Sequence, residues 1–120
     1  IIRHGDRTPL HFIPTDVENA PYTWPEGIGE MTKLGLQQQY EIGQFLRQRY
    51  VERLHFLSPD YNSSQIFVRS CGHNRTIESA LAHLAALYPS DGFGVHGLPW
   101  RPIPVHTAAK NVHNFFFVAF

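Results

Sequence analysis

The sequence predicts an α/β fold in which helices alternate with the strands of a parallel sheet. Two kinds of segment carry this prediction. Residues 1–2 and 65–69 are short and apolar, as buried strands are, and the second segment contains β-favouring residues. Residues 33–54 and 74–88 are longer and repeat apolar residues at helical spacing. A strand, a helix and a second strand form a βαβ unit, so we expect both strands to end at one edge of the sheet.

A turn and a long loop connect the first strand to the first helix. Gly5 opens the turn and Pro9 stiffens it, whereas residues 11–28 are proline-rich and lack periodicity, which is typical of a surface loop. Thr32 is a suitable N-cap for the helix at 33–54. We expect the buried stripe of this helix to consist of Leu36, Tyr40, Ile42, Phe45, Leu46, Tyr50 and Leu54.

The second helix has the strongest helical pattern in the chain. It begins near Asn74 and ends before Pro89, and its buried face should contain Ile77, Ala80, Leu81, Leu84, Leu87 and Tyr88. Residues 92–97 match the letters of a dinucleotide-binding motif, but they follow a helix and not a strand, so we interpret them as a glycine-rich loop. Residues 103–107 are a candidate extended segment at a sheet edge.

Composition excludes several classes of partner. Ten basic and ten acidic residues leave no net charge to attract nucleic acid or an acidic membrane. No apolar run approaches the roughly 18 residues of a membrane span. Cys71 is the only cysteine, so no disulfide can form within the chain. The eight histidines lack the local spacing of a zinc site, and we predict neither a metal nor another cofactor.

The motif with the clearest chemistry is Arg3-His4-Gly5-Asp6-Arg7-Thr8-Pro9. It places the imidazole of His4 between two guanidinium groups, and neutral imidazole is a good nucleophile near neutral pH. Arg3 and Arg7 can bind the oxygens of one phosphoryl group while His4 attacks its phosphorus. The motif therefore predicts an anion site that contains a nucleophile, and the alternative interpretation is a basic surface turn.

A third guanidinium is expected at the same place. Arg69 stands at the carboxyl end of the segment at 65–69, and ligands of open α/β sheets bind at that edge. His4 is expected at the same edge, so we predict that Arg69 joins Arg3 and Arg7 on the phosphate. A structural salt bridge is the alternative role for Arg69.

The residues 3–9 resemble the signature of the histidine acid phosphatases, the branch of the histidine phosphatase superfamily that includes the prostatic and lysosomal acid phosphatases. Further similar stretches lie at residues 24–29, 46–50, 68–70, 75–76 and 102–107. The resemblance implies the N-terminal part of a phosphoglycerate-mutase-like, three-layer α/β/α fold, which is incomplete in this chain. We expect residues 1–107 to be the N-terminal portion of a histidine acid phosphatase domain and residues 108–120 to be a divergent apolar tail.

The resemblance also implies a reaction, the hydrolysis of phosphate monoesters through a phosphohistidine on His4. Members of the family protonate the leaving alcohol with an acid from a downstream His-Asp pair, and this dipeptide does not occur in the chain. Asp6 is the only nearby carboxylate, but it occupies a variable position of the motif, so we assign it a supporting role. Arg75 is a supporting residue in the family. We therefore expect the chain to be a fragment that is inactive alone.

The sequence departs from the family at two places near the arginines. Relatives commonly carry carboxylates where this chain has Gly72 and Asn74, so the partners expected for Arg69 and Arg75 differ here. Two alternatives stay open, namely a non-enzymatic phosphate-binding module and the phytase or mutase chemistry of the wider superfamily. The resemblance further implies a lysosomal or secreted protein and permits a homodimer, as in relatives. Asn62 begins an acceptor sequence for N-glycosylation.

Overall fold

Two helices packed against each other dominate the fold. The structure is a computed structural model that describes residues 1–90 and 94–108. Helix α1 spans Lys33–Arg47 and continues into a π-helical turn over Gln48–Arg53, and helix α2 spans Asn74–Leu87. Both predicted helices are confirmed. The predicted N-cap is also confirmed, because the hydroxyl of Thr32 accepts a hydrogen bond from the backbone of Gly35 at 3.0 Å.

The described sheet contains two parallel strands, β1 (Arg69–Cys71) and β2 (His106–Ala108). Arg69 pairs with His106, and Cys71 pairs with Ala108. Helix α2 connects the two strands, so β1, α2 and β2 form a βαβ unit. The predicted parallel type of sheet is therefore confirmed, but β1 pairs with β2 and not with the strand predicted at residues 1–2. The extended segment predicted at 103–107 lies in a strand from His106 onward, and β1 begins at the last residue of the segment predicted to form it.

The strand predicted at residues 1–2 is wrong. Ile1 is 78% exposed and Ile2 is half-buried, and neither residue lies in a strand. A strand needs a neighbour that pairs with its backbone, and no described residue pairs in this way with residues 1–2. The first bridge along the chain lies further on, where Arg7 pairs with Met31 in an isolated antiparallel bridge. The βαβ unit thus uses α2 as its crossover, and not α1.

Helix α1 meets α2 through a face that carries little apolar surface. The buried residues of α1 are Gly35, Gln39 and Gly43, spaced four residues apart. A side chain at Gly43 would overlap the backbone carbonyl of His83, so the close approach of the helices requires a glycine there. The predicted stripe is wrong for its exposed members, which are Leu36, Tyr40, Ile42, Phe45 and Leu54.

The apolar core lies between α2 and the segments that lead into the strands. Ile66 and Val68 precede β1, Ile103 precedes β2, and all three pack with the end of α2. The predicted burial of Leu84, Leu87 and Tyr88 is confirmed.

Several predictions fall outside the described residues or concern absences. Apart from Ala108, the predicted tail at 108–120 lies outside the described part of the chain, as do residues 91–93 of the glycine-rich region. Across residues 1–90 and 94–108, no helix has both the length and the apolarity needed to cross a bilayer. The same residues contain no group of three or more His, Cys, Asp or Glu side chains that could hold a metal ion.

Candidate active site

The loop that carries His4 is fastened to the end of the long surface loop by Thr8. The Thr8 hydroxyl donates to the carbonyl of Gly27 at 2.5 Å and accepts from the backbone of Glu30 at 3.1 Å. The backbone of Thr8 in turn donates to the Glu30 carbonyl at 2.9 Å. The side chain of Thr8 is completely buried, so these bonds are protected from competing water. The loop is therefore held in one conformation beside the N-terminus of α1.

Asp6 completes this attachment. Its carboxylate accepts a hydrogen bond from the hydroxyl of Thr32 at 2.7 Å, and its backbone N–H donates to the side chain of Gln38 at 2.9 Å. Thr32 is the N-cap of α1, so the carboxylate stands where a helix dipole favours negative charge. The supporting role of Asp6 stays a prediction.

The imidazole of His4 is oriented by the backbone of the next residue, Gly5. Its Nδ1 lies 2.7 Å from the carbonyl oxygen of Gly5. Because a carbonyl oxygen can only accept, Nδ1 must carry the proton in this contact. The neutral ring then has its free lone pair on Nε2, the nitrogen on the opposite side of the ring. If His4 is the nucleophile, as predicted, this geometry makes Nε2 the attacking atom.

The peptide groups on both sides of His4 are bonded to helices. Gln39 of α1 donates from Nε2 to the carbonyl of Arg3 at 2.9 Å, and Ser79 of α2 accepts from the N–H of Gly5 at 3.3 Å. Sequence reasoning missed both residues. Each is a polar residue on a helix, and the apolar spacing that predicts a helix carries no information on the partners of its polar residues.

One cavity of about 390 Å³ adjoins the nucleophile. Arg3, His4 and Arg69 all line it, together with apolar side chains from the core and the polar side chains of Gln39 and His83. Arg69 reaches this cavity from the first residue of β1, so its predicted position at the carboxyl end of a strand is wrong. The structure nevertheless brings two guanidinium groups and the candidate nucleophile to one cavity. No Asp or Glu side chain among the described residues lines it.

The other two arginines lie elsewhere. Arg7 does not line the cavity, and its Nη1 donates to the carbonyl of Thr8 at 2.8 Å. Arg75 is half-buried, with its guanidinium beside Gly29. The phosphate-binding role of Arg7 and the supporting role of Arg75 stay predictions.

His83 is a second histidine on the cavity. It is 5% exposed, and its Nδ1 has no hydrogen-bond partner among the described residues. Burial lowers the pKa of His83 from 6.5 to about 4, because the charged imidazolium loses its hydration. The ring is therefore neutral in mild acid and adds no positive charge to the cavity.

Asn74-Arg75-Thr76 is a second acceptor sequence for N-glycosylation, and its surroundings differ from those of the sequence at Asn62. Asn62 is exposed in a turn, where its side-chain oxygen accepts from the backbone and hydroxyl of Ser64 at 2.9 and 2.8 Å. Asn74 begins α2 and donates to the carboxylate of Glu30 at 3.2 Å. Both asparagines are exposed, and they differ in that the amide nitrogen of Asn74, the atom that a glycan would modify, is the one that donates to Glu30.

Comparison with known proteins identifies the relatives of the chain. A family profile described as Histidine phosphatase superfamily (branch 2) matches residues 1–115. The chain is 49% identical to testicular acid phosphatase of Mus musculus over 109 residues, which cover 89% of the chain and 25% of the relative. It is 45% identical to lysosomal acid phosphatase of Xenopus laevis over 113 residues, which cover 92% of the chain and 25% of the relative.

A solved structure shows the same relationship. The phytase from Citrobacter braakii superposes with a TM-score of 0.64 at 27% sequence identity, over 90% of this chain and 26% of the phytase chain. The chain therefore spans about a quarter of the length of these relatives. The incomplete α/β fold agrees with this coverage.

Proposed function

The chain belongs to branch 2 of the histidine phosphatase superfamily, and we propose that it carries the nucleophilic and phosphate-binding part of an acid phosphatase that hydrolyses phosphate monoesters. One observation carries the proposal. His4, with Nε2 as its nucleophilic nitrogen, lines a cavity that Arg3 and Arg69 also line. Relatives named acid phosphatases support the same reaction class.

In the first step, the lone pair of His4 Nε2 attacks the phosphorus of the monoester. A phosphorus–nitrogen bond forms while the bond from phosphorus to the ester oxygen breaks, and the leaving alkoxide takes up a proton. Arg3 and Arg69 offset the negative charge on the phosphoryl oxygens, and Arg7 is a third candidate for this role. In the second step, water attacks phosphorus, the phosphorus–nitrogen bond breaks, and His4 returns to its neutral form.

The proton donor for the alkoxide is the missing part of this reaction. The cavity has no carboxylate among the described residues, and the carboxylate of Asp6 is bonded to Thr32 at the start of α1. In our proposal the acid is not one of the described side chains that line the cavity. Without acid assistance a poor leaving group departs about 10² to 10⁴ times more slowly, so the chain alone should turn over such esters very slowly.

Trapping of the phosphoenzyme tests the proposal. The protein is incubated with a radiolabelled aryl phosphate and quenched, and the label on the protein is measured for wild type, His4→Ala and His11→Ala. An aryl phosphate is used because its phenolate leaves readily without an acid. His11 is exposed and follows the same motif, so it is the matched control.

We expect label on wild type and on His11→Ala, and no label on His4→Ala. The label should survive alkali and be lost in acid, as a phosphorus–nitrogen bond is. Binding of phosphate by a wild-type protein that never takes the label would instead support the alternative of a non-enzymatic phosphate-binding module. This alternative is favoured by one observation, namely that no carboxylate of residues 1–90 and 94–108 lines the cavity.

A phytase-like activity is the other candidate, and the superposition on the Citrobacter braakii phytase favours it. A comparison of inositol hexakisphosphate with a simple monoester as phosphate donors to His4 would distinguish these two substrate classes.

Location and assembly are further parts of the proposal. A lysosomal or secreted location is supported by the relative named lysosomal acid phosphatase. In such a compartment the exposed Asn62 would be a glycosylation site. A homodimer stays a prediction, and sedimentation of the purified protein would test it.

A further inference from the structure

Two buried side chains hold the peptide groups on either side of His4. Gln39 is 2% exposed and bonds the carbonyl of Arg3, while Ser79 is 5% exposed and bonds the N–H of Gly5. The two residues come from different helices, α1 and α2. They therefore fix the backbone of His4 at both ends, between the helices that pack against each other.

Each of the two side chains has a defined hydrogen-bond role. Only the amide nitrogen of Gln39 can donate to a carbonyl, so this contact fixes which way the carboxamide points. The hydroxyl of Ser79 lies 2.6 Å from the carbonyl of Arg75 and donates its proton there. Its lone pairs are then available to accept from Gly5. The contact between Gly5 and Ser79 is buried and that between Arg3 and Gln39 is partly buried, so the loss of either partner is costly.

The contact from Ser79 also reaches the imidazole ring. Gly5 donates its N–H to Ser79, and its carbonyl oxygen accepts the Nδ1–H of His4. A displacement of Gly5 would therefore move the acceptor that orients the ring. In this way a side chain on α2 is linked through Gly5 to the direction in which Nε2 points.

We infer that Gln39 and Ser79 are positioning residues for phosphoryl transfer, which hold His4 so that Nε2 meets the phosphorus in line with the leaving oxygen. The inference rests on the proposed function of His4. Reaction rates depend steeply on the alignment of the attacking atom, and a misplacement of about 1 Å can cost roughly 100-fold. The arginines bind the phosphoryl group, so its affinity should depend much less on these two residues.

The test uses three variants and a control in the intact protein. Gln39→Met keeps the length of the side chain but removes the donor, Ser79→Ala removes the acceptor, and Ser79→Thr restores a hydroxyl. Gln37→Met is the matched control, because Gln37 is an exposed glutamine on α1 that bonds Glu41 at 2.9 Å. The rate of labelling of His4 is measured at several concentrations of an aryl phosphate, together with hydrogen exchange at the Gly5 amide and the melting temperature.

We expect Gln39→Met and Ser79→Ala to lower the labelling rate at saturating aryl phosphate by about 10- to 100-fold. The aryl phosphate concentration that gives half of the maximal rate should change by less than about threefold. Ser79→Thr should recover most of the rate, and Gln37→Met should match wild type. Exchange at Gly5 should be faster in Ser79→Ala. A wild-type labelling rate in folded Gln39→Met and Ser79→Ala would overturn the inference. A change only in the half-saturating concentration of aryl phosphate, with the maximal rate unchanged, would also overturn it.

Two outcomes separate this inference from the proposed function. If the wild type takes no label, the proposed function of His4 fails. Hydrogen exchange at the Gly5 amide then still tests whether Ser79 holds the backbone next to His4. An exchange rate in Ser79→Ala equal to that of wild type would show that Ser79 does not hold it. If Ser79→Ala does not fold, Gln39→Met and Ser79→Thr decide. Loss of rate in Gln39→Met with its retention in Ser79→Thr supports the inference, and equal loss in both overturns it.

Discussion

Gly5 and Gly35 lie backbone against backbone, so the loop that carries His4 rests directly on the first turn of α1. A side chain at Gly5 would overlap the carbonyl group of Gly35, and one at Gly35 would overlap the backbone of Asp6. Because the obstructing atoms belong to the main chain, a rotamer change cannot relieve the overlap. The position of the candidate nucleophile thus depends on two glycines that are distant in sequence.

The first prediction concerns Gly35→Ala. Alanine favours a helix by about 1 kcal/mol over glycine, but overlap with Asp6 should reverse the sign and destabilise the protein by about 3 kcal/mol. Urea unfolding measures the change. Gly97→Ala is a control with open space around it, where the positive φ of 78° alone should cost about 1 kcal/mol. Stabilisation by Gly35→Ala would contradict the close contact.

Another glycine of α1, Gly43, explains which parts of the fold could be predicted. The ends of α1 and α2 depend on local signals, namely the Thr32 cap and Pro89, and these were found. The buried face of α1 depends on how closely α2 approaches. Gly43 permits that approach without contributing apolar surface, so apolar spacing pointed to the wrong face.

The candidate site shows a similar division. Residues 3–9 could be identified because nucleophilic and cationic residue types signal chemistry by themselves. Gln39 and Ser79 could not, because a polar side chain that bonds a distant backbone leaves no pattern in the sequence. The strand at residues 1–2 failed for a related reason, since strand formation depends on a partner far away in the chain.

The second prediction concerns the pH dependence of stability. The pKa of His83 is about 4 in the folded protein and 6.5 when unperturbed. Between these values the unfolded chain binds a proton that the folded protein does not, so stability falls as pH is lowered from 6.5 to 4. The loss at its full extent is about 3 kcal/mol.

His83→Gln should remove this part of the pH dependence. Urea unfolding at pH 7 and pH 4 measures the free energy of unfolding for wild type, His83→Gln and a control, His11→Gln, in which an exposed histidine is replaced. We expect a smaller difference between the two pH values for His83→Gln only. Equal differences in all three proteins would show that His83 titrates normally.

The third prediction concerns the hydroxyl of Tyr88. The residue is 1% exposed and packs edge-to-face on Tyr61, with ring centroids 5.8 Å apart. Burial raises the pKa of Tyr88, and its hydroxyl has no partner among the described residues. Tyr88→Phe keeps the ring contact and removes an unsatisfied polar group, so we expect stability to rise by about 1 kcal/mol. Thermal unfolding measures the change.

Tyr40→Phe is the control for this substitution, because Tyr40 is 37% exposed and its hydroxyl can bond water. We expect its stability to change by less than about 0.5 kcal/mol. A loss of more than about 1 kcal/mol in Tyr88→Phe would mean that the buried hydroxyl makes a hydrogen bond.

The fourth prediction concerns phosphate binding by Arg69. A hydrogen bond between charged groups contributes about 1.5–3 kcal/mol, so Arg69→Ala should weaken the binding of inorganic phosphate by roughly 10- to 100-fold. Arg49→Ala is the matched control, because Arg49 is exposed on the π-helical turn and lies over the ring of Tyr50, 5.7 Å from its centroid. Both variants lose one positive charge, so a general electrostatic effect would weaken binding equally in each. Calorimetric titration with phosphate distinguishes the two cases, and equal affinities in the two variants would remove Arg69 from the site.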